Sequence, residues 1–174
     1  MEHAVDTRAV AIYGEAVLRK NAAVVSRIDD TVRDLVQAMK ATMYAEEGAG
    51  LAAPQIHTSL RVALVDITAG EEEPYVLINP EITWQSEETQ EDEEGCLSIP
   101  EIRLPVERAL RVCVRAMDIH GRVYTIDNAE GLLARALQHE IDHLNGVLFV
   151  DRAAPIQRQM VAGKLKKLAK SAKK

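Results

Sequence analysis

Two histidines four positions apart, His139 and His143, stand in the run His139-Glu140-Ile141-Asp142-His143. On a helix, residues at that spacing share a face, so both imidazoles reach one metal ion. Glu140 lies beside the same face, where a carboxylate can carry a proton to and from a water activated by the ion. A pattern this short also arises on ordinary surface helices, so the third ligand decides what chemistry the pair can do.

No Glu or His follows His143, and Phe149 stands where the extended metzincin pattern would place a third histidine. Both common peptidase arrangements therefore fail. The missing ligand must come from upstream: Cys96, Cys113, His3, His57, His120 or a carboxylate. Cys96 is the best of these. It sits in Glu94-Gly95-Cys96-Leu97-Ser98, where Gly95 permits an unusual turn and close approach of another group. A thiolate there completes a Cys/His/His set with an open fourth position, the catalytic rather than the structural arrangement. Free cysteine is commonly a small buried hydrophobe, but a glycine-flanked loop is a poor place for one. Cys113 alternates with Arg111 and Arg115, opposite Val112 and Val114, and reads as a packing residue. His57 and His120 read as loop or turn residues, and His3 belongs to the terminal segment. Asp142 projects away from the histidine face, as a supporting or surface partner and not a ligand. One thiolate with two imidazoles suits Zn²⁺ and also Fe²⁺.

These groups need elements to hold them. Residues 130–145 read as a helix with Leu133, Leu137, Ile141 and Leu144 on one stripe and Gly146 as its stop. Residues 29–48 read as another: Asp29, Asp30 and Thr31 offer N-caps, Val32, Leu35, Met39 and Met43 recur at helical spacing, and Gly48 ends it. Strands are expected at 61–67, at 75–80 and at 111–117, the last paired with 123–126 across His120-Gly121. A third helix is expected from about residue 156 to the end. The acidic run from Glu87 to Glu93 reads as a solvated loop. Together these predict an α+β fold, a single domain over 1–174 with short, mostly antiparallel strands packed around a central metal-binding helix and a basic C-terminal helix at about 156–174.

Of the 174 residues, 47% are hydrophobic and 28% charged, ordinary for a globular chain able to bury a core. Aromatics at 3% argue against a stacking platform for single-stranded nucleic acid. No apolar run approaches the ~20 residues of a membrane span, and the start from Met1 to Asp6 lacks a secretory pattern. Two cysteines make no disulfide framework, which points to a reducing cytoplasm. The net charge of −6 is uneven: no acid follows Asp151, whereas Arg152, Arg158, Lys164, Lys166, Lys167, Lys170, Lys173 and Lys174 are basic. That tail is either a solubilising helix or a contact for ribosomal RNA phosphates.

Three motifs, Gly48-Ala49-Gly50-Leu51-Ala52-Ala53-Pro54-Gln55, Glu94-Gly95-Cys96-Leu97-Ser98 and Gln138 through His143, resemble in order and spacing those of the peptide deformylases, with similarity from about residue 13 to 155. The resemblance implies an enzyme that removes the formyl group from the N-formylmethionyl end of a nascent polypeptide, releasing formate. It implies that Cys96, His139 and His143 hold one divalent metal, ferrous iron in the cell with Zn²⁺, Ni²⁺ or Co²⁺ as substitutes. Glu140 would be the general acid/base, and Gln55 with the Leu97 N–H would stabilise the developing oxyanion. Gly50 and Gly95 would face substrate, Arg103 would line its cleft, and Glu94 would bond backbone amides near the metal loop. Leu132, Leu133 and Ala136 are placed to line a pocket for the Met side chain. Departures from the family pattern are Ala49, which would widen the cleft, His57, Ala136 and Tyr13-Gly14-Glu15. The competing expectations are another amide hydrolase, disfavoured by the missing downstream ligand, and a metal-stabilised ribosome-docked module, which has no need of Glu140 or Gln55. A monomer is the default.

Overall fold

A computed structural model describes residues 6–173; His3 and Lys174, both weighed above, lie outside the described residues. The helix expected at 29–48 is α1, Asp30–Ala45, and Asp29 caps it by accepting from the Val32 amide at 3.1 Å. Its stop is not Gly48. Glu47 takes the left-handed conformation (φ 55°), and the Gly48 amide bonds back to the Met43 carbonyl at 2.9 Å. The Gly-rich stretch that follows forms β1, Gly50–Ala52, and a 3-10 turn, Ala53–Ile56.

Strands β2 (Val62–Val65), β3 (Tyr75–Gln85), β6 (Arg111–Met117) and β7 (Val123–Glu130) join β1 in an antiparallel sheet ordered β1-β2-β3-β6-β7. Strand β2 shows why a continuous apolar run was needed. Val62 and Leu64 face α1 with Val32, Leu35, Val36, Met39 and Met43, while Ala63 and Val65 face the opposite core. That second core is covered by α2, Gly131–Leu144, through Ala134, Leu137, Ile141 and Leu144. Gly146, in the left-handed region at φ 72°, ends that helix as expected, and a Cβ there would lie 2.6 Å from the Arg19 carbonyl oxygen. Strand β3 runs five residues past the expected end at Pro80, because Asn79 (φ 50°) and Pro80 sit in a bulge between Ile78 and Glu81 instead of a turn.

The main correction lies between residues 87 and 109. The acidic run is not a loop: Thr89–Cys96 forms β4, paired antiparallel with β5, Ile99–Ala109, across a two-residue turn at Leu97-Ser98. Its side chains from Thr89 to Glu93 are exposed, so that stretch carries no apolar period. Its partner does, with Ile102, Leu104 and Val106 buried alternately. The expected C-terminal helix is three pieces: α3 (Phe149–Arg152), α4 (Pro155–Met160) and α5 (Ala162–Ser171). The break falls at Val161 (φ −106°, ψ 3°), after which Leu165 anchors α5 in a third core with Leu18, Ile99, Val106 and Phe149. Mixed helix and antiparallel sheet with α2 between the sheets is the α+β arrangement expected. Among the described residues no helix is long and apolar enough to cross a membrane.

Candidate metal centre

One stripe of α2 packs on the large sheet; the neighbouring stripe, Leu132, Ala136, His139 and His143, faces the β4–β5 hairpin. Hence the core period and the functional period interleave on one helix. The His143 Nε2 lies 3.2 Å from the His139 Nε2 and 3.4 Å from the Cys96 Sγ. The three ligand atoms lie within 4.8 Å of one another. A tetrahedral ion bound at ordinary Zn–N and Zn–S lengths separates such atoms by about 3.3–3.6 Å. The two His143 separations match that spacing, so the donor set suits a divalent metal. Cys96 is at the end of β4, just past a register shift that follows Glu94.

Gly95 has no left-handed backbone, and a Cβ there would lie 2.9 Å from the Arg103 Nη1, the free end of a flexible side chain. Gly50, on the other wall, is the tighter position. Its Cβ would fall 2.5 Å from the Glu140 Oε1, so the glycine leaves room for the Glu140 carboxyl. Glu140 is buried, its Oε2 without a hydrogen-bond partner. Burial pushes its carboxyl up to about 7, against the lowering charge of His139. Burial and the positive charges of His139 and Arg108 push His143 down. Burial would also lower His139, but hydrogen bonds to Cys96 and Glu94 carry it well above its ordinary value.

Gln55 is held on the far side of the thiol. Its Oε1 accepts from the Ala52 amide at 2.9 Å, and its Nε2 donates to the Ser98 Oγ at 3.1 Å beside the Cys96 Sγ at 3.5 Å. A cleft of about 550 Å³ opens here, lined by Gly50, Gln55, Gly95, Leu97, Arg103 and Glu140 among others. Ala49, Leu132 and Ala136 also line it, but Leu133 does not; it packs into the core behind α2. Cys113 is half-buried on the outer face of β6, and His57 and His120 sit in turns, so none of these joins the cluster. Two departures from the family pattern meet each other: the His57 Nε2 lies 2.8 Å from the Glu15 Oε1.

Glu94 does not bond backbone amides. Its carboxylate takes His139 Nδ1 at 2.8 Å, Arg108 Nη2 at 2.9 Å and Arg135 Nη1 at 2.6 Å. Burial would raise its carboxyl, but the Arg108 and His139 hydrogen bonds hold it well below the usual range. Arg108 also donates to Asp142 at 2.9 Å. Sequence reasoning missed Arg108, Arg135 and Ser98. The signal for Arg108 was present: it is in phase with Ile102, Leu104 and Val106 on β5, and an inward-facing arginine requires buried carboxylate partners.

The model of the polypeptide deformylase family matches residues 7–159. The peptide deformylase of Bartonella quintana is 47% identical over 161 residues, 91% of each chain. A solved peptide deformylase from Legionella pneumophila is 44% identical and superposes with a TM-score of 0.87 over 93% of this chain and 95% of its own. One from Synechococcus elongatus, in complex with actinonin, is 41% identical with a TM-score of 0.84 over 94% and 91%. This chain belongs to the polypeptide deformylase family. As in that metal-dependent family, it carries a Cys/His/His cluster able to hold an ion.

Proposed function

We propose that Cys96, His139 and His143 hold one divalent ion, Fe²⁺ in the cell, and that Glu140, Gln55 and the Leu97 N–H act around it on formyl-methionyl peptides. The reaction is the deformylase reaction: the N-formyl group of a nascent polypeptide is hydrolysed to formate and a free N-terminus. A bound divalent ion supplies Lewis acidity, polarising the formyl carbonyl and lowering the pKa of water. Glu140 takes a proton from the attacking water on its carboxylate and delivers it to the departing amine nitrogen. The Gln55 Nε2, fixed by Ser98 and the Ala52 amide, and the Leu97 N–H donate to the formyl oxygen as it becomes negative. Gly50, Gly95 and Arg103 contact the peptide along the cleft, and Leu132 and Ala136 meet the Met side chain.

The observation that carries this reading is the Cys96–His139–His143 cluster, with both Nε2 atoms turned to one point and the Glu140 carboxyl on the same face. The test is formate release from a formyl-Met peptide by anaerobically iron-loaded wild type and Glu140→Ala. Rapid release by wild type and near-complete loss in the variant at equal metal content support it; no release by loaded wild type overturns it.

The reading extends to a single catalytic domain over 1–174, monomeric and cytoplasmic, whose basic C-terminal helix touches the ribosome. Free Cys96 and Cys113 suit a reducing compartment, and Lys164, Lys166, Lys167, Lys170 and Lys173 are exposed on and just after α5. Truncation after Gly163 would remove buried Leu165, so charge replacement is the cleaner test. Ribosome binding that persists after Gln replaces these five lysines refutes the contact.

A further inference from the structure

The four-residue helix α3 lies behind the metal helix and touches it in two ways. Phe149, the only phenylalanine in the chain, is buried with its ring stacked on the His139 imidazole, centroids 6.2 Å apart and planes 22° from parallel. Arg152 clamps Asp142 with two of its nitrogens, Nη2 to Oδ1 at 2.9 Å and Nε to Oδ2 at 3.2 Å. From Asp142 the contacts continue inward without a gap. Arg108 Nη1 donates to Asp142 at 2.9 Å, Arg108 Nη2 to Glu94 Oε1 at 2.9 Å, and that same oxygen takes His139 Nδ1 at 2.8 Å. The Arg108 and Glu94 side chains are 4% and 5% exposed, whereas Arg152 is 51% exposed. Helix α3 is itself fixed, because Asp151 accepts from the Leu148 amide at 2.9 Å and pairs with Arg19.

A histidine that ligates a metal through Nε2 is aimed by whatever holds its Nδ1–H. Here that acceptor is a carboxylate whose plane is set by a two-point guanidinium contact. We propose that Arg152 is a positioning residue that tightens metal binding from the surface, acting through Asp142, Arg108 and Glu94 on the orientation of His139. This rests on Cys96, His139 and His143 being the metal ligands. Without Arg152, Asp142 is left with one partner and draws Arg108 toward itself, loosening the Arg108 grip on Glu94. The sign distinguishes this from plain Coulomb repulsion. A cation near a dication opposes binding, so by charge alone removing Arg152 would tighten the site.

The experiment titrates the metal-free full chain with Co²⁺ under anaerobic conditions against a competing chelator, following the visible bands of thiolate-bound cobalt. Glu94→Gln, which removes the negative charge from the direct partner of His139, is expected to weaken binding about 10- to 100-fold. Arg152→Ala acts further away and is expected to weaken it about 3- to 10-fold, measured at a temperature where the metal-free variant remains folded. Arg152→Lys keeps the charge but not the two-point contact, and restores at most part of the loss. Arg158→Ala, which removes a surface cation 3.5 Å from Asp151 outside the relay, leaves the affinity within a factor of about 2. Unchanged or tighter binding in Arg152→Ala, with Glu94→Gln weakened, overturns the relay while leaving the metal site intact. Equal cobalt binding by wild type and His139→Ala removes the metal site itself, and the relay with it.

Discussion

Gly50→Ala tests the role proposed for the Glu140 carboxyl most directly. A Cβ built on Gly50 lies 2.5 Å from Oε1, 2.9 Å from Cδ and 3.0 Å from Cγ of Glu140. Carbon atoms in ordinary contact are about 3.5–4.0 Å apart, so the carboxyl must retreat by about 0.6–1.0 Å. Gly50 is not among the left-handed glycines, so alanine suits its backbone and the fold is expected to survive. A misplacement of ~1 Å in a reacting group costs about 100-fold in rate, equivalent to ~2.7 kcal/mol of barrier. The assay is formate release from a formyl-Met peptide, with metal content and thermal unfolding measured on the same samples. The expected outcome is a kcat lower by about two orders of magnitude at full metal occupancy and near-native Tm.

Two neighbours make the comparison sharp. A Cβ on Gly48 would meet Leu97 Cδ1 at 3.0 Å, and one on Gly95 would meet Arg103 Nη1 at 2.9 Å. Each contact is with the free end of a flexible side chain that can swing aside, so Gly48→Ala and Gly95→Ala should each change kcat less than about 3-fold. Activity of Gly50→Ala within a factor of about 3 of wild type would refute the claim that Gly50 makes room for Glu140.

Further outcomes follow from other parts of the molecule. Cys96→Ala should retain the fold but lose stoichiometric metal by elemental analysis; full occupancy would remove Cys96 from the ligand set. Leu132 is 58% exposed on the cleft, so Leu132→Ala should raise KM for formyl-Met peptides several-fold with little change in Tm; an unchanged KM argues against its contact with the Met side chain. Leu133→Ala should do the reverse, costing about 1–2 kcal/mol in urea unfolding with KM unchanged. Asp66 accepts from Thr68 Oγ at 2.6 Å and Tyr44 Oη at 2.6 Å, which together hold its carboxyl down at about 2. A depressed carboxyl contributes stability above its unfolded value near 3.8 and loses it as pH falls toward 2. The stability gap between wild type and Asp66→Asn should therefore be full at pH 6 and shrink below pH 4; a gap independent of pH sinks the assignment.

The histidine pair was legible because residues four apart share a helix face, and Cys96 because no Glu or His downstream of His143 could join them; the structure brings the three together. Helix α2 was legible for the same reason at the level of packing: Leu137, Ile141 and Leu144 repeat with the helical period and all three are buried. Strand β4 was not, since both faces of a hairpin arm can be wet when its partner supplies the core, and Glu91, Asp92 and Glu93 then resemble a loop. Strand β3 was cut short at Asn79-Pro80 because a bulge and a turn have the same local chemistry; only pairing with β6 tells them apart. The break at Val161 carries no Pro or Gly at that position and follows from how Leu165 docks, which is a tertiary fact.

What the sequence concealed most completely is why charged groups gather at the centre of the protein. Glu94 and Asp142 are buried carboxylates, and each would be costly alone. Arg108 bridges them, Arg135 adds a second contact to Glu94 and Arg152 a second to Asp142, so neither is left with a single partner. Beside this network, Glu140 as a carboxylate and Cys96 as a thiolate are the charges that a divalent cation bound at the cluster would neutralise. The arginines are drawn from β5, α2 and α3, far apart in the chain. For this reason no local motif announces them, and the short HExxH pattern is only the visible end of a charge arrangement that requires the whole fold.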